Sequence, residues 1–186
     1  MTELSSDGAN SSGRPLPPRA ARGFVLRFAV VSGVLLALYY FPFEGMLTRG
    51  LRHLYLSAYA RVAGAAVGLM DPGVHVEGTH IMGRVSLDFG LSCDAMDIYI
   101  LFAAATVAFP STWRRRAIGL VLGFASLVLL NVLRIVSLYF IGLRFPAKFE
   151  LFHMQVWPVF IVVLASGAFL SWARTTTRPR RREVIV

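Results

Sequence analysis

Four long apolar runs alternate with short polar or basic stretches along the chain, at about residues 24–43, 91–110, 117–143 and 152–173. A hydrocarbon core about 30 Å thick takes roughly 20 helical residues at about 1.5 Å rise each, so each run predicts a transmembrane helix. Between the first two runs, residues 46–70 are helical in composition but carry Arg49, Arg52, His53 and Arg61. Over residues 74–89 the pattern changes period: Val74, Val76, then Ile81, Val85, Leu87 and Phe89 alternate with polar neighbours and break at Gly78, which predicts a short hairpin. Residues 1–22, rich in Ser, Gly and Pro, predict a disordered tail, followed by an embedded domain over 23–173 and a basic tail over 174–186. The first apolar run is too long for a signal-peptide core and lacks a small-x-small exit before Pro42, so it is expected to stay as an anchor.

The composition fits that pattern. A chain of 186 residues with 56% hydrophobic content and a mean hydropathy of +0.62 is too apolar for a soluble domain, and predicts an all-α integral membrane protein. The formal charge of +9 does not suggest nucleic acid, because the basic residues sit at the termini and between the apolar runs rather than along one face. Arg14, Arg19, Arg22 and Arg27 precede or begin the first run, Arg114, Arg115 and Arg116 join the second to the third, and Arg174, Arg178, Arg180, Arg181 and Arg182 follow the last. Positive charge collects on the cytoplasmic side, so both termini are expected inside and the number of spans even, about four. A crossing by residues 46–70 would force Arg114–Arg116 outside. That stretch is therefore expected as an amphipathic helix on the outer interface, with a re-entrant pair as the alternative of equal parity, and the hairpin lies on the same outer side.

Three residues rarely tolerated in lipid now stand out. Cys93 lies near the outer end of the second span and His153 begins the fourth on the same side. Arg134 lies nine residues before Leu143, about 14 Å below the outer end of its helix, and its side chain can snorkel outward. An arginine at mid-helix costs at least about 2.5–3.5 kcal/mol to insert, which favours a position facing the bundle. Asn131 and Ser137, three residues either side, share that face. A thiol, a base and a fixed cation at one depth fit nucleophilic attack by sulfur on an acyl carbon. His153 would take the thiol proton and return it to the leaving amine, and Arg134 would donate to the developing oxyanion. Asp94 and Asp97 follow the cysteine, and Asp97, four residues on, either is neutralised by Arg134 or orients His153. One cysteine makes no internal disulfide, and His75, Glu77 and His80 match no strong metal-ligand spacing, so neither a metal nor a cofactor is expected. A small anion channel or transporter using Arg134, or a non-enzymatic assembly subunit, are the other function classes open to these residues.

The same blocks carry a resemblance. Ser92-Cys93-Asp94, then Phe109-Pro110-Ser111-Thr112-Trp113-Arg114-Arg115-Arg116, then Asn131-Val132-Leu133-Arg134-Ile135-Val136-Ser137, then Phe149-Glu150-Leu151-Phe152-His153, resemble the exosortase/archaeosortase family, most closely its compact exosortase H type, over roughly residues 73–172. The resemblance implies a multi-pass protein of a bacterial inner membrane with its active site facing outward. It also implies a cysteine transpeptidase or protease acting on exported proteins whose C-terminal sorting signal has a short motif, a transmembrane helix and a basic tail. In that scheme Cys93 is the nucleophile, Arg134 the transition-state stabiliser and His153 the acid/base. This sequence departs from the family after the cysteine, where Asp94 and Ala95 stand in place of a small or polar residue and then glycine.

Overall fold

The computed structural model describes residues 18–40, 46–90 and 95–177. In chain order they form α1 (Pro18–Tyr40), α2 (Met46–Gly68), β1 (His75–Glu77), β2 (His80–Met82), β3 (Leu87–Asp88), α3 (Met96–Ala108) and α4 (Trp113–Arg144). A 3-10 turn (Pro146–Lys148), α5 (Phe149–Leu151), a π-helical turn (Phe152–Val156) and α6 (Trp157–Thr177) complete the chain. Ala21–Tyr40, Trp113–Arg144 and Pro146–Thr176 are long and apolar enough to cross a membrane, and Met96–Ala108 is a shorter apolar helix. The protein is an all-α integral membrane protein of the multi-pass kind.

The long helices alternate in direction. Phe24 near the start of α1 meets Phe109 just past the end of α3, with ring centroids 6.0 Å apart, while Tyr40 at the end of α1 hydrogen-bonds Asp97 in the first turn of α3. On α4, Gly119 lies under Trp172 of α6, and Leu127 shares a core with Ile161 and Ala165. α1 and α4 therefore run one way and α3 and α6 the other. One end of the bundle gathers Phe24, Phe109, Phe169 and Trp172 into a single aromatic cluster. There the Trp172 indole N–H donates to the Arg115 carbonyl (3.2 Å), Arg115 donates to the Thr176 carbonyl (2.6 Å) and Arg116 to the Phe109 carbonyl (3.1 Å). Arginines thus satisfy carbonyls that two helix ends leave open. The described members of all three basic clusters share this end.

α4 buries one residue per turn along Gly119, Gly123, Leu127, Asn131, Ile135 and Tyr139. At Gly123 a Cβ would lie 2.0 Å from the Phe102 ring, so the missing side chain is what lets α3 pack on α4. Hydroxyls within the bundle turn back on their own helices: Ser32 donates to the Phe28 carbonyl (2.6 Å) and Thr106 to the Phe102 carbonyl (2.8 Å), as an apolar medium demands.

The opposite end carries the hairpin. Glu77 pairs with His80 across a two-residue turn in which Gly78 takes φ 60, and β3 joins to give an antiparallel sheet in the order β1-β2-β3. Val76, Ile81 and Leu87 turn inward, Ile81 fully buried, toward Ala60 and Ala63 of α2 and Ile135 of α4. α2 buries one face, Leu56, Tyr59, Ala60, Ala63 and Val67, and exposes Leu54, Arg61 and Val62 on the other. The buried carboxylate of Asp71, just past α2, accepts from the Tyr139 hydroxyl (2.9 Å) and lies 3.5 Å from Arg84 Nε, while the Arg84 backbone N–H donates to the same hydroxyl (3.2 Å). Three elements are pinned at one buried point.

The helix bounds differ from the expected spans for identifiable reasons. α1 begins at Pro18, inside the stretch expected to be a tail, since proline suits the first turn of a helix. α3 is only 13 residues, about 20 Å long, against the expected run of 91–110. Pro110 holds Phe109 extended at φ −67, ψ 135 and stops the helix there. α4 gains a turn at its start and continues to Arg144, and α6 continues to Thr177.

Candidate functional site

Cys93 and Asp94 lie outside the described residues, but the chain that leads from them is fixed. Ala95 forms the N-cap of α3 at φ 54, ψ 23, and among the described residues it is the one non-glycine with positive φ. That conformation costs an L-residue roughly 1–2 kcal/mol and is the one glycine adopts freely. The Ala95 carbonyl accepts from the Ile98 N–H (3.0 Å) and the Tyr99 N–H (3.3 Å), which holds the turn in place. Ala95 and Met96 pack in the cluster that contains Leu130 and Trp157. Leu130 is one helical turn before Arg134, and Trp157 one turn after His153. α3 starts at Met96 behind a left-handed residue, and the expectation that Cys93 and Asp97 share a helical face falls outside the described residues.

Arg134 is on the inner stripe of α4, only 4% exposed, with Asn131 beside it at 1%. The expected inward polar face is present. Ser137 departs from it in one respect, because its hydroxyl is spent on the Arg134 backbone carbonyl (2.8 Å). The Arg134 guanidinium crosses to the neighbouring element and donates from Nη2 to the His153 backbone carbonyl (3.3 Å). Asp97 is exposed on α3 and accepts from the Tyr40 hydroxyl, so the structure brings it to α1 and not to Arg134 or His153.

The sequence shapes the backbone around His153. Residues 152–156 form a π-helical turn in which the Trp157 N–H bonds to the Phe152 carbonyl, five residues back. The next donor in that register would be residue 158, which is proline and has no N–H. The His153 carbonyl accepts from the Arg134 guanidinium at this turn. A wide turn of this kind within a helix often marks a functional position. The half-buried His153 ring leans on Phe149 at 5.6 Å and lines a cavity of about 180 Å³ together with Ile81, Leu87, Phe89, Ile135 and Leu138. Sequence reasoning missed Pro158 and the aromatic and aliphatic walls. The proline five residues past the histidine was a readable signal, whereas the walls depend on how the hairpin packs.

A buried arginine and a half-buried histidine from separate elements therefore meet at the hairpin end. The model of the family described as transmembrane exosortase (Exosortase_EpsH) matches residues 20–171. The chain belongs to the transmembrane exosortase family. Exosortases are cysteine-type membrane transpeptidases, and membership gives this chain that role in general terms. The match spans α1 to nearly the end of α6, so the exosortase domain includes α2 and the hairpin as well as the spans that bear Arg134 and His153. Neither the curated proteins nor the solved structures contain a match to this exosortase.

Proposed function

We propose that this exosortase cleaves exported proteins at a C-terminal sorting signal made of a short motif, a transmembrane helix and a basic tail, through an acyl-enzyme on Cys93. The observation that carries the reading is the bond from buried Arg134 to the His153 carbonyl, beside a packed cluster that also holds Ala95. In the proposed cycle the Cys93 thiol gives its proton to His153 and the thiolate attacks the scissile carbonyl. The oxyanion is stabilised by the guanidinium of Arg134. The C–N bond then breaks, the leaving amine takes the proton from His153, and water or another amine resolves the thioester. The hairpin end faces outward in this reading and the arginine-rich end faces the cytoplasm, in keeping with positive charge on the inner side. The bilayer and the substrate's own helix supply the second dimension of recognition.

The test is processing in the host. Envelope proteins that end in an apolar helix and a basic tail should lose that tail with the parent chain, and keep it with Cys93→Ala or His153→Ala at equal membrane abundance. Mass spectrometry should find an acyl adduct at Cys93 in the parent. Normal processing by the Cys93→Ala protein would end the nucleophile assignment.

A further inference from the structure

The cavity beside His153 has one wall made of four consecutive residues, Ser86, Leu87, Asp88 and Phe89. Side chains along a strand alternate between its faces, so a run in which odd and even positions both line one cavity marks the strand's edge rather than a face. β3 is the last strand of the sheet and pairs with β2 along its other edge, Leu87 opposite Ile81 and Asp88 opposite His80. The Phe89 N–H donates to the Thr79 carbonyl at 2.9 Å, which makes that a hydrogen-bonded pair. Antiparallel alternation then makes 87 and 81 the next such pair, and directs the Asp88 N–H to the side that carries no further strand among the described residues. Across the cavity stand Phe149 and His153.

From this geometry we infer that β3 receives the substrate by strand addition. An extended peptide segment lies along the edge, one of its carbonyls accepts from the Asp88 N–H, and one apolar side chain of moderate size enters the cavity. This deepens the transpeptidase reading and rests on it. About 180 Å³ holds a single side chain and excludes a helix. Ile81, Leu87, Ile135, Leu138 and Phe149 make that space apolar. A lipid acyl chain would suit those walls but leave the edge N–H without an acceptor, whereas a peptide in β conformation supplies both at the spacing of one residue. A segment bound this way carries its backbone past His153.

Binding can be read apart from chemistry. Cys93→Ala protein in nanodiscs is incubated with a randomised hexapeptide library, and the retained peptides are sequenced by mass spectrometry. The retained pool should be enriched in a Leu- or Met-sized residue. Adding Asp88→Pro deletes the outward N–H at a site where an edge strand tolerates proline, and should lower retention roughly tenfold relative to adding Asp88→Ala, which keeps that N–H. Adding Ser86→Phe, at an exposed position on the wall, should shift the enrichment toward Ala and Gly. Equal retention by the Pro and Ala proteins, or a pool no different from that on empty nanodiscs, overturns strand addition. If the proline variant does not fold, Ser86→Phe decides alone, and an unchanged enrichment counts against the proposal. Failure here with intact Cys93-dependent processing would leave the transpeptidase reading standing.

Discussion

Ala95 holds a conformation suited to glycine at the point where the chain passes from the cysteine segment into α3. Replacing it with glycine removes the steric cost of φ 54 while adding some unfolded-state entropy, so Ala95→Gly should stabilise the protein by about 0.5–1 kcal/mol. Thermal unfolding in nanodiscs checks this, and a loss of stability would show the strain is not felt. Arg134 carries the second residue-scale prediction. Lysine keeps the charge but not the planar fork that can reach the His153 carbonyl and an oxyanion together, so Arg134→Lys should slow acyl-enzyme formation on the order of 10²–10³-fold with insertion unchanged. Acylation at the parent rate would reduce Arg134 to a strut. The inward position of Arg134 was legible because a charge among apolar residues has few other places to go. The direction of Asp97 was not, because it depends on Tyr40, 57 residues away.

The hydropathy pattern announced the long helices, and the period of two announced the hairpin with its break at Gly78. The start of α3 was hidden because it turns on one residue's φ, and the third strand because Leu87–Asp88 is too short to have a period of its own. The pin that joins α2, the hairpin and α4 was invisible for the same reason that it works: Asp71, Arg84 and Tyr139 are far apart in sequence and meet only after packing. Tyr139→Phe keeps the ring but leaves the buried Asp71 carboxylate without its hydroxyl donor. It should cost about 1.5–3 kcal/mol and speed hydrogen exchange in the hairpin first. Exchange that rises evenly over the whole chain would mean the pin does not hold the hairpin locally. Pro158 acts on the element differently, withholding a backbone donor instead of adding a contact.

For the whole molecule, the alternating directions of α1, α3, α4 and α6 bring Arg22, Arg114–Arg116 and Arg174 to one end, and the hairpin with Arg134 and His153 to the other. In a Cys93→Ala background, a cysteine at Glu77 should react with impermeant maleimide added to intact cells and one at Thr112 should not. Strong external labelling at 112 would invert the molecule. α4 adds a constraint of scale. Its 32 residues extend about 48 Å, well beyond a hydrocarbon core of about 30 Å, and in the proposed topology the arginines at positions 114–116 stand at the cytoplasmic headgroups. Measured from Ala117, Arg134 stands about 26 Å up the helix, just short of the far boundary of that core. That topology would put the guanidinium at the polar frontier in a membrane of ordinary thickness and submerge it in a thicker one. Reconstituted in phosphatidylcholines of increasing chain length, turnover should fall once the core thickens by roughly 5 Å, as hydrophobic mismatch draws the site below the surface. In that topology the helix that presents the arginine would also be a ruler, matching the site to membranes of one thickness.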